Sequence, residues 1–114
     1  MLRTSLKHLE SKKELSDFIE QNENAMVCCG RMGPMCVPVY SIMAKLEKVY
    51  SSVAFADMEF DIPDASIIRN LPECARFMGL PFTIYYKNGK VVEATSSIQT
   101  MDQVKSILDK HFSA

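Results

Sequence analysis

Segments typical of helices and of strands alternate along this 114-residue chain, and this alternation restricts the fold more than any other feature of the sequence. Residues 11–21 are predicted to form a helix, because Ser11 and Glu14 make a capping box ahead of apolar residues at helical spacing. The short apolar run at 25–29 predicts a buried strand. A second helix follows, and its predicted apolar face consists of Val39, Ile42, Met43, Leu46, Val49 and Tyr50.

The second half of the chain continues the alternation. Residues 53–60 resemble a further strand, and a helix is expected over roughly 72–78. The runs 82–86 and 91–95 are rich in β-branched and aromatic residues. Asn88-Gly89 lies between these two runs and is a strong signal for a tight hairpin.

A C-terminal helix is predicted after a second capping box, formed by Thr100 and Gln103. Helices that alternate with strands imply a sheet covered on both faces, and the hairpin adds an antiparallel edge. We therefore expect an α/β fold with a central mixed sheet. The length of the chain fits a single domain over residues 1–114.

Composition argues against several classes of function. With 13 basic and 14 acidic residues the net charge is −1, which provides no field to attract nucleic acid or an anionic membrane. No apolar run reaches the length of a signal peptide or a membrane span, so we expect a soluble, cytoplasmic protein. The two histidines, His8 and His111, lie at opposite ends of the chain. Neither a metal site nor a cofactor is expected.

The four cysteines are Cys28, Cys29, Cys36 and Cys74. A chain of this length with a full core needs no disulfides, so free thiols in a reducing compartment are the expected state.

The stretch Gly79-Leu80-Pro81-Phe82-Thr83-Ile84-Tyr85-Tyr86-Lys87-Asn88-Gly89 resembles the thioredoxin family without a gap over eleven residues. The family has a Gly-Ile-Pro-Thr run, an apolar strand and Lys-Asn-Gly at this place. The resemblance extends over nearly the whole chain and implies the thioredoxin fold. It also implies that Pro81 is a cis-proline beside the active site, and that Leu80 offers a backbone contact to an extended partner.

The loop before the second helix departs from the Trp-Cys-Gly-Pro-Cys motif of thioredoxins, and two placements are open. In the first, which needs no gap, Met32-Gly33-Pro34-Met35-Cys36 occupies the motif; Gly33 replaces the attacking cysteine and Cys36 is the recessed one. In the second, Cys36-Val37-Pro38-Val39 occupies the motif and Cys36 is the attacking cysteine. The second needs a three-residue insertion and a shorter helix, so the first is favoured. Both leave one cysteine.

A single cysteine changes the chemistry that the resemblance implies. A dithiol reductase clears its mixed disulfide with a neighbouring thiol, which is missing here. Classical reductase activity is therefore doubtful, and we expect mixed disulfides between Cys36 and a protein or low-molecular-weight thiol. The alternative is a non-catalytic module that binds an extended peptide. The redox interpretation requires the Cys36 thiol to face the bend at Pro81, and a thiol turned into the core would leave only the fold.

Several residues near the loop have two interpretations. Met32 and Met35, with Gly33 and Pro34 between them, fit either a peptide-binding lip or simple packing. Arg31 fits a thiolate stabiliser, although a solvated loop arginine is favoured.

The family's buried aspartate and its lysine companion correspond to Val27 and Asp57. Asp57 is either a base for Cys36 or, the favoured interpretation, a carboxylate at a wet strand end. Cys29 corresponds to a tryptophan under the active site, so it is either a partner for Cys36 or a core residue, which is favoured.

Cys28 is expected to face the other side of the strand from Cys29 and to lie in the core. For Cys74 a structural or idle role is favoured over regulation or dimerisation. The region 62–70 is longer than the family's equivalent, and its Ile67 and Ile68 fit either the core or a partner-facing patch.

Overall fold

A five-stranded mixed sheet forms the centre of the computed structural model, which describes residues 2–75 and 79–112. The strands are β1 (Lys7–Leu9), β2 (Asn24–Gly30), β3 (Ala54–Glu59), β4 (Phe82–Lys87) and β5 (Lys90–Ser96). Their order across the sheet is β1-β3-β2-β4-β5. β1 and β2 both run parallel to β3, whereas β2–β4 and β4–β5 are antiparallel pairs. The predicted mixed sheet with an antiparallel edge is confirmed.

Helices lie between the strands as the apolar spacing predicts. They are α1 (Lys12–Gln21), α2 (Val37–Leu46), α3 (Ser66–Arg69) and α4 (Met101–Phe112), with single 3₁₀ turns at Pro63–Ala65 and Pro72–Cys74. Both predicted capping residues act as such: the Glu14 amide donates to Ser11 Oγ over 3.1 Å, and the Gln103 amide donates to Thr100 Oγ1 over 3.1 Å. No helix of the described residues has the length and apolar character needed to cross a membrane.

Two apolar cores cover the two faces of the sheet. Alternate side chains of each strand point to opposite faces, so neighbouring residues belong to different cores. One core joins the sheet to α2 and α4 and includes Met26, Cys28, Cys36, Val39, Tyr40, Met43, Phe55, Tyr85, Val104 and Leu108. The other joins the sheet to α1 and the segment 63–74 and includes Leu15, Phe18, Val27, Cys29, Ala56, Met58, Ile68, Cys74 and Ile84.

The hairpin between β4 and β5 closes at Asn88 and Gly89. Both residues have a positive φ, 53° and 79°. Two successive positive φ values are the signature of a type I′ turn, whose twist matches that of the flanking strands. This confirms the hairpin predicted from the Asn-Gly pair.

No strand is predicted from the sequence at β1, which lies at the edge of the sheet beside β3. Its three residues are too few to show a period of two, and only Leu9 is a buried apolar residue. Its place is set by long-range contacts instead, since it pairs with residues 56–58 of β3. Sequence pattern alone carries no such information.

The second helix is shorter than its apolar stripe suggests. α2 ends at Leu46, and the following residues form turns in which the Val49 amide donates to the Leu46 carbonyl. Val49 is consequently 71% exposed, and its placement on the buried stripe is wrong. Tyr50 does pack partly against the core, and its hydroxyl donates to Asp109 of α4 over 2.7 Å.

The segment between β3 and β4 contains short turns rather than one helix. Ile68 is fully buried, whereas Ile67 is partly exposed, so the two neighbours do not share one environment. The helix predicted over 72–78 is, in the described part, a single 3₁₀ turn at Pro72–Cys74. Residues 76–78 lie outside the described residues.

Candidate functional site

The loop 31–36 leaves the carboxyl end of β2, a central strand, and leads into α2. The amides of Cys36 and Val37 both donate to the Gly33 carbonyl, over 3.1 and 3.0 Å, so this loop ends in a helical turn. Cys36 is the N-cap residue of α2. Pro38 follows at the second helical position, where a missing amide hydrogen costs no intrahelical bond.

Three groups converge on the end of β2. The Leu80–Pro81 peptide bond is cis. A Cβ atom on Gly30 would lie 2.8 Å from Tyr40 Oη, 2.9 Å from Cys36 Sγ and 3.1 Å from Pro81 Cβ. The sulfur, the hydroxyl and the proline ring therefore share the space left by the missing side chain of Gly30. The expected proximity of Cys36 and Pro81 is present.

The Cys36 side chain is nevertheless recessed. The residue is 3% exposed and belongs to the core between the sheet and α2. Its sulfur accepts the Arg31 amide hydrogen over 3.5 Å. Amide donors of this kind favour a thiolate over a neutral thiol. The thiol thus faces the bend at Pro81, as the redox interpretation requires, but it is also turned into the core, the position that was expected to leave only the fold.

The Arg31 side chain is bound to a carboxylate of its own. Its guanidinium donates to both oxygens of Asp61, over 2.7 and 2.8 Å, and lies 5.3 Å from the centre of the Phe60 ring. This pairing lowers the pKa of the Asp61 carboxyl. Arg31 therefore supports Cys36 through its backbone amide, and the charge of its side chain is balanced by Asp61.

The predicted peptide-binding residues Met32 and Met35 are exposed, as is Val37, which the sequence analysis did not include; we call these three residues the methionine lip. Their exposed fractions are 42%, 43% and 38%. Pro34 is also exposed, and Leu80 is half-buried against the core. The Arg3 amide donates to Met32 Sδ over 3.2 Å, so the N-terminal segment contacts one end of this lip.

Asp57 is neither at a wet strand end nor hydrogen-bonded to Cys36. It is fully buried in β3, where it accepts hydrogen bonds from Thr4 Oγ1 and, over 2.6 Å, from His8 Nδ1. Burial raises the pKa of the Asp57 carboxyl, and the bonds from Thr4 and His8 oppose that rise. The favoured sequence interpretation is wrong because it could not foresee β1, which supplies His8 and covers this carboxylate.

The other three cysteines are buried in the two apolar cores. Cys28 lies on the face of α2 and α4, where Thr83 Oγ1 donates to its sulfur over 3.8 Å, and burial raises its pKa well above the ordinary value. Cys29 and Cys74 lie in the opposite core. Burial raises the pKa of Cys29 to about 12 and that of Cys74 to about 11, so both stay protonated at neutral pH.

The opposite faces of Cys28 and Cys29 agree with the strand alternation predicted from the sequence. Cys29 and Cys36 belong to different cores, and all four cysteines are free. The structure therefore does not bring the displaced Cys29–Cys36 couple together.

Sequence reasoning missed Tyr40, whose hydroxyl lies at the centre of the site. The signal was present, because Tyr40 follows Cys36 by four positions and residues so spaced share one helix face.

Sequence reasoning also missed a cavity of about 300 Å³ beside β1, whose lining includes His8 and Asp57. Residues 2–75 and 79–112 hold no group of three or more side chains suited to a metal ion.

Solved structures of similar shape identify this fold, a mixed five-stranded sheet with helices on its two faces. A thioredoxin from Plasmodium falciparum superposes with a TM-score of 0.77 at 22% identity, covering 93% of this chain and 99% of that one. Thioredoxin f2 of Chlamydomonas reinhardtii gives 0.79 at 18% identity, with 96% and 99% covered.

Mitochondrial thioredoxin 3 of Saccharomyces cerevisiae gives a TM-score of 0.74 at 22% identity, with 92% of this chain and 95% of that chain covered. No protein-family model and no curated protein sequence matches the chain. The protein has the thioredoxin fold. This confirms the fold that the resemblance implied.

The close approach at Gly30 makes a first prediction. A Gly30→Ala substitution should lower the free energy of unfolding by about 1–3 kcal/mol, because its methyl group has to displace Tyr40 and Cys36. Gly33→Ala is the matched control, since nothing lies within 4 Å of its Cβ position. Urea unfolding of both variants measures the difference. Equal stability of the two variants would show that the end of β2 is not closely packed.

The buried carboxylate makes a second prediction, on pH dependence. Because the folded pKa of Asp57 is raised above 3.8, the folded state keeps this proton when the unfolded state has lost it. The free energy of unfolding then falls as the pH rises from the unfolded pKa of this carboxyl to its folded pKa. The free energy of unfolding of the wild type, minus that of Asp57→Asn, should therefore decrease as the pH rises from 3.8 toward the raised folded pKa.

Asp61→Asn is the control for this measurement. Arg31 lowers the pKa of Asp61, so the corresponding difference for this variant should increase with pH or stay flat. Denaturant titrations at half-unit steps of pH supply both curves. A flat or rising curve for Asp57→Asn would contradict the account of the buried carboxylate.

Proposed function

We propose that the protein performs thiol–disulfide exchange through Cys36 alone. The observation that carries this proposal is the position of Cys36 Sγ, which shares the space at Gly30 with the cis-proline Pro81 in a thioredoxin fold. The residues three positions before and after Cys36 are Gly33 and Val39, so no resolving thiol stands at either place. The partner is a protein thiol or disulfide, or a low-molecular-weight thiol.

The geometry of the loop favours the gapless placement of the motif on Gly33-Pro34-Met35-Cys36. The helical turn that leads into α2 begins at the Gly33 carbonyl, and Cys36 is the recessed residue at its end. In this placement Gly33 replaces an exposed attacking cysteine. The missing side chain leaves open space at that point, because nothing lies within 4 Å of the Gly33 Cβ position.

The exchange needs two thiol steps. The Cys36 thiolate attacks one sulfur of a partner disulfide, forms a mixed disulfide and releases the other sulfur as a thiolate. An outside low-molecular-weight thiolate then attacks the partner's sulfur in the mixed disulfide, and Cys36 leaves as the thiolate. The Arg31 amide nitrogen lies 3.5 Å from the sulfur, and its hydrogen stabilises the thiolate before the attack and again after its release.

Access to the sulfur follows from the surface above it. An extended partner packs on the methionine lip and displaces the exposed residues Pro34 and Met35, while Cys36 keeps its place at Gly30. Leu80, before the cis peptide, contributes the backbone contact to this partner. Chemistry of this kind requires thiols to stay reduced, so the proposal includes a reducing compartment such as the cytoplasm.

The burial of Cys36 favours a second candidate function. A thiol that is 3% exposed beneath an apolar lip also suits a module that binds an extended peptide and performs no redox step. In that case the methionine lip and Leu80 form the binding surface, and Cys36 is a packing residue.

A comparison of wild type with Cys36→Ser separates the two functions. With insulin as the disulfide substrate and reduced glutathione as the outside thiol, the serine variant should lose at least tenfold of the protein-dependent rate. The reason is that serine lacks the nucleophilic sulfur. Cys74→Ser is the control, since Cys74 lies in the opposite core and should leave the rate unchanged.

A wild-type rate no higher than the glutathione background would contradict the exchange proposal. If the wild type and the Cys36→Ser variant then bind S-carboxymethylated insulin B chain with equal affinity, the binding module is the better account. That chain carries no disulfide, so its binding reports the surface alone.

A further inference from the structure

Tyr40 places a hydroxyl group beside the sulfur of Cys36. Its ring is buried in the core under α2, one helical turn after the cysteine. Both Tyr40 Oη and Cys36 Sγ lie within 2.9 Å of the position where a Gly30 Cβ would stand. The oxygen and the sulfur are therefore no farther apart than twice that distance.

The two groups are also held by the same residue. Arg31 donates its amide hydrogen to Cys36 Sγ over 3.5 Å, and its carbonyl accepts the Tyr40 hydroxyl hydrogen over 3.0 Å. A phenol hydrogen rotates about the C–O bond, so it can turn from the Arg31 carbonyl toward the nearby sulfur.

The environment keeps this hydroxyl protonated. Burial raises the pKa of Tyr40 well above its ordinary value, and the thiols of Cys28, Cys36 and Cys29 and the carboxyl of Asp57 raise it further. All of these neighbouring groups are neutral or negative. Toward a Cys36 thiolate, which carries no hydrogen, the Tyr40 hydroxyl can accordingly act only as a hydrogen-bond donor.

We infer that the Tyr40 hydroxyl donates a hydrogen bond to the Cys36 thiolate during exchange. This inference rests on the proposed function. The bond forms when Cys36 carries its charge, before attack on the partner disulfide and after the outside thiolate has released it. No proton is transferred, because Tyr40 remains neutral throughout, and the electron pair stays on the sulfur. With the Arg31 amide, the thiolate then has two donors.

Tyr40→Phe tests the inference by removing one oxygen atom and keeping the ring. Loss of a donor to the charged form should move the midpoint of the pH profile of Cys36 alkylation upward by about one unit. At neutral pH the alkylation rate of Cys36 should fall about tenfold. Iodoacetamide labelling of the folded protein, followed by trypsin and mass spectrometry, isolates this thiol because the fragment 32–45 contains Cys36 alone.

Tyr50→Phe is the matched control. Its hydroxyl donates to Asp109 near the other end of α2, so its removal should leave the alkylation profile unchanged. An unchanged profile in Tyr40→Phe, with Cys36 still alkylated, would overturn the role of Tyr40 and leave the proposed function intact. No alkylation of Cys36 at any pH in the folded wild type would contradict both.

A second measurement keeps the hydroxyl group at position 40. Replacement of the tyrosines by 3-fluorotyrosine gives a more acidic phenol and a stronger donor. The alkylation midpoint should then move to lower pH in the wild type and stay fixed in fluorinated Tyr40→Phe. A shift of the same size in both proteins would overturn the inference, since it would come from another tyrosine.

Discussion

The close packing around Gly30 is the constraint on which the site depends. β2 ends there between β3 and β4, and the absence of a side chain lets Cys36, Tyr40 and Pro81 meet at one point. Any larger residue has to displace at least one of the three. The position of the sulfur, its contact with the Arg31 amide and the place of the phenol hydroxyl all follow from this contact.

The charges of the site are distributed away from the sulfur. Asp57 is buried with Thr4 and His8 on the side of β1, and the Arg31 guanidinium is paired with Asp61. In the part of the chain that the structure describes, a backbone amide and a neutral hydroxyl lie next to the Cys36 sulfur. Such donors stabilise a thiolate without adding a charge that burial would penalise. Two such donors are what the proposed exchange through Cys36 requires.

Local patterns in the sequence were sufficient to predict most of the secondary structure. The capping residues Ser11 and Thr100 and the Asn88-Gly89 turn act within a few residues of themselves, so the sequence shows them directly. β1 could not be predicted, because three residues have no measurable period and the strand depends on pairing with β3. The end of α2 was missed for a related reason: an apolar stripe continues past Leu46 into turns.

The candidate site was predictable only in part. The resemblance at Gly79–Gly89 pointed to Pro81, and the motif loop pointed to Cys36, because both are marked by residue type. The surroundings of Asp57 were not predictable, since its partners Thr4 and His8 come from a distant part of the chain. The role inferred for Tyr40 depends on its nearness to the sulfur at Gly30, which spacing suggests but residue type does not.

The state of Cys36 after exposure of the folded protein to oxidised glutathione tests the central claim most directly. Mass spectrometry of the tryptic fragment 32–45 should show one glutathione adduct on Cys36, and the fragments that contain the other cysteines should remain unmodified. An unmodified Cys36, or a disulfide between Cys29 and Cys36, would contradict the account of a single exchanging thiol.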